Sequence, residues 1–131
     1  MASAPIFETT PRLAVAQVSA ANTNRDGTGT IVDIITGVAA GTQIEMLRVV
    51  SIGTVTAGAV RLYLYDGTNT RMFKEIIVPA TTPSTTIEAW SYTLLLVGAN
   101  RIILPSASWK VQASTHNAEV FNIFAAGADL T

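Results

Sequence analysis

The chain is 131 residues long, 49% hydrophobic and only 13% charged, where an ordinary soluble domain carries about 25% charged residues. That length suits one domain with a real core, and the net charge of −1, from eight basic and nine acidic residues scattered singly, excludes a basic stripe for phosphate backbones. No window approaches the roughly 18 consecutive apolar residues of a spanning helix, and the lack of cysteine excludes disulfides and thiolate metal sites. Neither nucleic acid nor membrane is therefore an expected partner. So little charge implies that partner subunits cover apolar surface, a route to stability open to a small protein without disulfides.

The chain opens with "MASAPIFETTPR", where Pro5, Glu8 and Pro11 leave no apolar stretch of the secretory kind. The prolines also break any helical period, so residues 1–11 are predicted to be an extended arm, with Ile6 and Phe7 apolar enough to dock on a neighbour. Residues 12–131 read as one domain. Short runs rich in Val, Ile and Thr recur between Gly, Asn and Pro punctuation, near 12–20, 29–36, 42–53, 58–65, 71–78, 86–97, 100–104, 108–114 and 119–126. Eight or nine short strands at this spacing predict an all-β fold, a single antiparallel β-sandwich that is jelly-roll-like.

Between the first two strands, Asn22, Asn24 and Asp26 alternate in "ANTNRDGTG", as at the opening of a calcium loop. Arg25 lies among the would-be ligands and no bidentate Glu follows at the right spacing, so a turn is the expected role. The most regular stretch is "GAVRLYLYDGTNTRMFKEIIVP". In it Val60, Leu62 and Leu64 alternate with Arg61, Tyr63 and Tyr65, the period of a half-buried strand. Asp66-Gly67 opens a turn. A five-residue loop, Asp66–Thr70, would set Arg61 opposite Glu75, Tyr63 opposite Phe73 and Tyr65 opposite Arg71, with Val60 facing Ile76 on the other side. This register keeps an ion pair that a three-residue loop loses. It also puts Lys74 on the apolar face opposite Leu62, where its amine must reach the margin of the sandwich to be wet.

Further on, two strands are apolar on both faces. In "TIEAWSYTLLLV", Ile87 and Leu95 oppose Trp90, Tyr92, Leu94 and Leu96; in "EVFNIFAAG", Val120 and Phe124 oppose Phe121 and Ile123. A sandwich strand needs one buried face, so the second face is expected to meet another subunit or a loop. Between them, "STHNAEVF" brings Ser114, His116 (the only histidine) and Glu119 within six residues. A catalytic triad draws its members from different elements beside an oxyanion hole, and one His with one Glu falls short of a metal site. The expected role is a polar turn, and the chain is expected to be no enzyme and to need no cofactor. Arg61, Tyr63, Tyr65, Phe73, Trp90, Tyr92, Phe121 and Phe124, with Ile6 and Phe7 of the arm, are the candidate interface residues. Tyr, Trp and Arg are the side chains that protein interfaces favour.

The runs "VSAANTNRDGTGTIVDIITG", "GAVRLYLYDGTNTRMFKEI" and "ASTHNAEVFNIFAAGADL" together resemble the small virion proteins of tailed bacteriophages, of the capsid decoration (cement) type. The resemblance covers nearly the whole chain after residue 12. It implies a compact β-fold that sits as a homo-oligomer, a trimer, on the head surface of the virion, clamps the major capsid protein and has no catalytic residues. The other function that such a module could serve is host recognition, as a receptor-binding β-domain of a tail or fibre.

Overall fold

A computed structural model describes residues 8–130; Ile6 and Phe7 lie outside the described residues. Nine strands follow one another: β1 (Glu8–Val18), β2 (Val32–Thr36), β3 (Thr42–Ser51), β4 (Gly58–Tyr65), β5 (Thr70–Val78), β6 (Ser91–Leu95), β7 (Ile102–Leu104), β8 (Lys110–Thr115) and β9 (Phe121–Leu130). They form two antiparallel sheets, one ordered β1-β9-β3-β6 with β7 also on β3, the other β2-β8-β4-β5. The chain crosses repeatedly from one sheet to the other, which is the connectivity of a jelly roll. β6 and β7 lie end to end along β3, Ser91–Leu95 against Val50–Met46 and Ile102–Leu104 against Ile44–Thr42. They make one edge strand interrupted by the excursion 96–101.

The core is what the alternation of the central strands dictates. Ile44, Leu47 and Val49 of β3, Val60 and Leu62 of β4, and Phe121, Ile123 and Ala125 of β9 are all buried between the sheets. Trp90 closes one side of this core, its ring edge-on to Phe121 at 6.0 Å. Three strand limits depart from the sequence reading. β1 begins at Glu8 rather than near 12, because Glu8–Val18 pairs with β9 along its length. The segment 86–90 is not strand. There the Ser84 hydroxyl accepts the N–H groups of Thr86 and Ile87, each at 3.2 Å, and draws the backbone out of extended pairing. β9 runs on to Leu130 because β1 and β3 flank it on both sides.

The hairpin register is half as expected. Arg61 faces Glu75 and Val60 faces Ile76, but beyond Leu62–Lys74 the register shifts, so that Tyr63 faces Met72 and Tyr65 faces Thr70. Phe73 is the extra, unpaired residue of a β-bulge. The turn explains the shift. Asp66 Oδ1 accepts the N–H groups of Thr68 at 2.9 Å and Asn69 at 2.8 Å, and Gly67 takes φ 95°. These bonds close a loop one residue shorter than expected, and the bulge absorbs the difference.

A second irregularity, on β3, depends on Gly127. The β3–β9 register shifts between Ile44 and Met46, and a Cβ at Gly127 would collide with the Gln43 carbonyl oxygen and press Ile44 Cα at 3.1 Å. Both neighbours are backbone and cannot rotate away. Gly127→Ala is therefore expected to destabilise the fold by about 1–3 kcal/mol, as overpacking does. A lower urea midpoint at unchanged m-value would report it; an unchanged midpoint would show that the strands part freely there.

Candidate functional site

The two sheets differ in what covers their outer faces. Over the β2-β8-β4-β5 sheet lies the chain's own loop 19–31, fastened from below by two side chains that point away from the core. Arg61, 2% exposed, donates Nε to Glu75 at 2.9 Å, Nη1 to the Asn22 carbonyl at 3.1 Å and Nη2 to His116 Nδ1 at 3.1 Å. Guanidinium only donates, so Nδ1 of His116 is the acceptor and the ring proton sits on Nε2. Tyr63 is buried beside it, its hydroxyl donating to the Asn24 carbonyl at 3.2 Å. The loop is also tied internally, as Asn22 Nδ2 donates to the carbonyls of Thr28 and Thr30, each at 2.9 Å.

These contacts show where several of the candidates read from the sequence lie. Arg61, Tyr63 and Phe121 are buried within the chain and present no side chain to a partner. Ser114, His116 and Glu119 face different neighbours: Ser114 donates to the Tyr63 hydroxyl, His116 meets Arg61, and Glu119 accepts from Thr56 N–H and hydroxyl. Asn22 and Asp26 spend their polar groups on their own loop. Among the described residues no three His, Asp or Glu side chains gather as metal ligands.

The expected aromatic interface does not assemble either. Tyr65 is half-buried beneath Lys110, and Tyr92 beneath Lys74, each ammonium 5.7 Å from the ring centre. Phe73 and Lys74 line a cleft of about 460 Å³ at the β5–β6 margin, with Leu64, Leu94 and Ile102. Trp90 packs on the core. Only Phe124 lies on the surface described next, and among the described residues no aromatic side chain is fully exposed.

The outer face of the β1-β9-β3-β6 sheet is bare and apolar. Leu13, Ala126, Met46 and Leu95 stand in one cross-strand row; Val15, Phe124, Arg48 and Thr93 in the next; Gln17, Asn122, Val50 and Ser91 in the third. Leu13 is 70% exposed, Val15 57% and Leu95 61%. A groove of about 450 Å³ runs among Leu13, Met46, Val50 and Phe124. Arg48 is the lone cation among these rows, its Nε on Thr93 Oγ1 at 3.2 Å. Exposed apolar side chains are ordinary singly, but a contiguous patch marks a contact surface. Of its residues the candidates read from the sequence include Phe124 but not Leu13, Val15, Met46, Val50 or Leu95. In "LAVAQV" Leu13 and Val15 point outward and the two alanines inward, the reverse of the usual order.

No family model matches the chain, and neither does any curated protein. Among solved structures it is similar to a chain of the acidic stable capsid structure of Helicobacter pylori bacteriophage KHP30, with a TM-score of 0.58 and 14% identity over 96% of this chain and 90% of that one. A chain of the cyanophage Pam1 capsid asymmetric unit gives a TM-score of 0.43 at 11% identity, over 98% and 91% of the two chains. A pentameric capsid protein isolated from metagenomic phage sequences gives 0.43 at 14% identity, over 88% and 61%. The first likeness shows that the fold is shared nearly end to end.

Acid should loosen the loop-bearing face. The hydrogen bond from Arg61, with the charges of Arg25 and Arg61, holds the Glu75 carboxyl below its ordinary value of 4.5. A depressed carboxyl contributes stability that is present above about pH 4.5 and is lost as pH falls through its folded-state value. Glu75→Gln should therefore flatten the decline of stability below that pH, measured by urea unfolding across a pH series. Parallel declines in the variant and the parent would rule Glu75 out as a source of acid sensitivity.

Proposed function

We propose that this chain is a structural component of a bacteriophage virion, which self-associates and decorates the head surface by bridging subunits of the major capsid protein. The observation that carries this reading is a bare apolar sheet face on a jelly roll whose fold matches, nearly end to end, a chain of a phage capsid. A fold alone hosts many functions, so the face matters as much as the likeness. It offers a surface for protein, and the polar groups gathered elsewhere are engaged in holding the fold. A host-recognition module would be favoured by an exposed aromatic cluster, which the described residues do not form.

On this reading the residues before β1 serve attachment, since an extended segment can wrap a neighbour and order on binding. β1 starts at Glu8, so removing residues 1–7 spares the strand. The truncated chain is expected to fold and self-associate but to pellet poorly with empty heads. The full chain should pellet with heads and be present in purified virions in copy number comparable to the capsid protein, by quantitative gel analysis. Absence from purified virions would overturn the proposal, and full attachment without residues 1–7 would remove the arm from it.

A further inference from the structure

The bare face carries a charge pattern that selects an occupant. Arg48 stands between Phe124 and Thr93 with only its Nε engaged by a side chain. Three positions back on the same strand, Glu45 sits at the β3 irregularity between the inward Ile44 and the outward Met46, its side chain partly exposed. The neighbouring Glu45 pushes the Glu8 carboxyl above its ordinary value of 4.5, with Arg101 pulling the other way. Glu45 thus lies on one side of the apolar row that holds Met46, and the cation Arg48 stands in the row on its other side.

We propose that this face pairs with the same face of a second copy across a two-fold axis, with Arg48 of each copy set against Glu45 of the other. The inference rests on the self-association in the functional reading above, but not on attachment to capsids. Stacked sheets keep their strands within about 30° of each other. An axis lying in the contact and crossing the strands near Met46 turns β3 end for end. With the axis passing midway between Glu45 and Arg48, residues about 10 Å apart along the strand at the usual rise, Arg48 comes over the partner's Glu45. Such an isologous contact repeats every pairing twice.

Two other arrangements are disfavoured by charge. A two-fold axis running along β3 sets Arg48 on Arg48, and covering the face with a purely apolar surface buries the guanidinium unpaired, which is costly. The face is large enough. Four strands at about 4.8 Å spacing and ten residues at about 3.4 Å rise span roughly 650 Å² before side-chain relief, near the ~800 Å² per partner of a standard interface. An isologous contact makes a dimer, in place of the trimer that the phage resemblance implies.

Sedimentation equilibrium of the full chain tests this, because every substitution required is at an exposed or partly exposed position. The parent is expected to be dimeric. Arg48→Glu and Glu45→Arg should each weaken the dimer, on the order of tenfold or more in Kd, and the two together should restore it to within a few-fold of the parent. Leu13→Asp should give a monomer with an unchanged urea midpoint. A parent that is monomeric, single charge reversals without effect on mass, or a double reversal as weak as the singles would each overturn the proposal. Pelleting with empty heads is read separately. Chains that pellet while their mass ignores Arg48 sink the two-fold contact and spare the virion reading; dimers that respond as expected but never pellet do the opposite.

Discussion

The placement of one guanidinium decides which side of this molecule is finished and which is open. Arg61 sits on a strand whose neighbours Val60 and Leu62 fill the core, so its side chain must leave on the outer face of the β2-β8-β4-β5 sheet. A charge there would ordinarily be wet. It is instead roofed by loop 19–31, and its donors are consumed by Glu75, by the Asn22 carbonyl and by His116. A buried cation is tolerated only when paired and hydrogen-bonded in this way. The loop in turn has no strand partner along most of its length and depends on Arg61, Tyr63 and Asn22 for its position. Remove the guanidinium and the loop loses its central tie.

That roof makes the two sheets unlike. The loop that covers one sheet cannot cover the other, and the β1-β9-β3-β6 sheet keeps Leu13, Val15 and Leu95 in water with Phe124 partly exposed among them. The side chains of β1 invert the usual order, since alanines face the core while leucine and valine face out. Burying an aliphatic side chain is worth about 1.5–3 kcal/mol. Large residues stationed outside therefore keep back a driving force that folding does not use, and it becomes available to whatever covers the face.

Much of the fold was legible because period-two alternation is a strong signal where one face is buried. Eight or nine strands and the antiparallel sandwich came from that pattern, and the Arg61–Glu75 pairing from the ion pair that its register keeps. Alternation says that a strand has two faces but not which faces inward. "LAVAQV" is apolar in both phases, and only the sheet around it assigns Leu13 and Val15 to the outside. Two of the candidate interface residues are a related case. Arg61 and Tyr63 have the composition of a contact surface, and they do make one, with a loop of their own chain that is distant in sequence and reads as a turn. The Phe73 bulge was invisible because Asp66 closes its turn through side-chain bonds, which shifts the register by one without any change in residue pattern.

Arg48 gives the open face its specificity. An apolar residue at that position would make a stickier surface, and one that any apolar patch could satisfy, in any register. A cation at the centre makes indiscriminate covering unfavourable, because the wrong partner leaves it desolvated and unpaired. It also breaks the apolar patch into smaller parts. The affinity given up in desolvating Arg48 is returned only by a partner that brings a carboxylate to one position. The partly exposed Glu45, three residues away on the same strand, meets that condition when the face is turned upon itself. The strand thus carries both halves of its own recognition, separated by one apolar row.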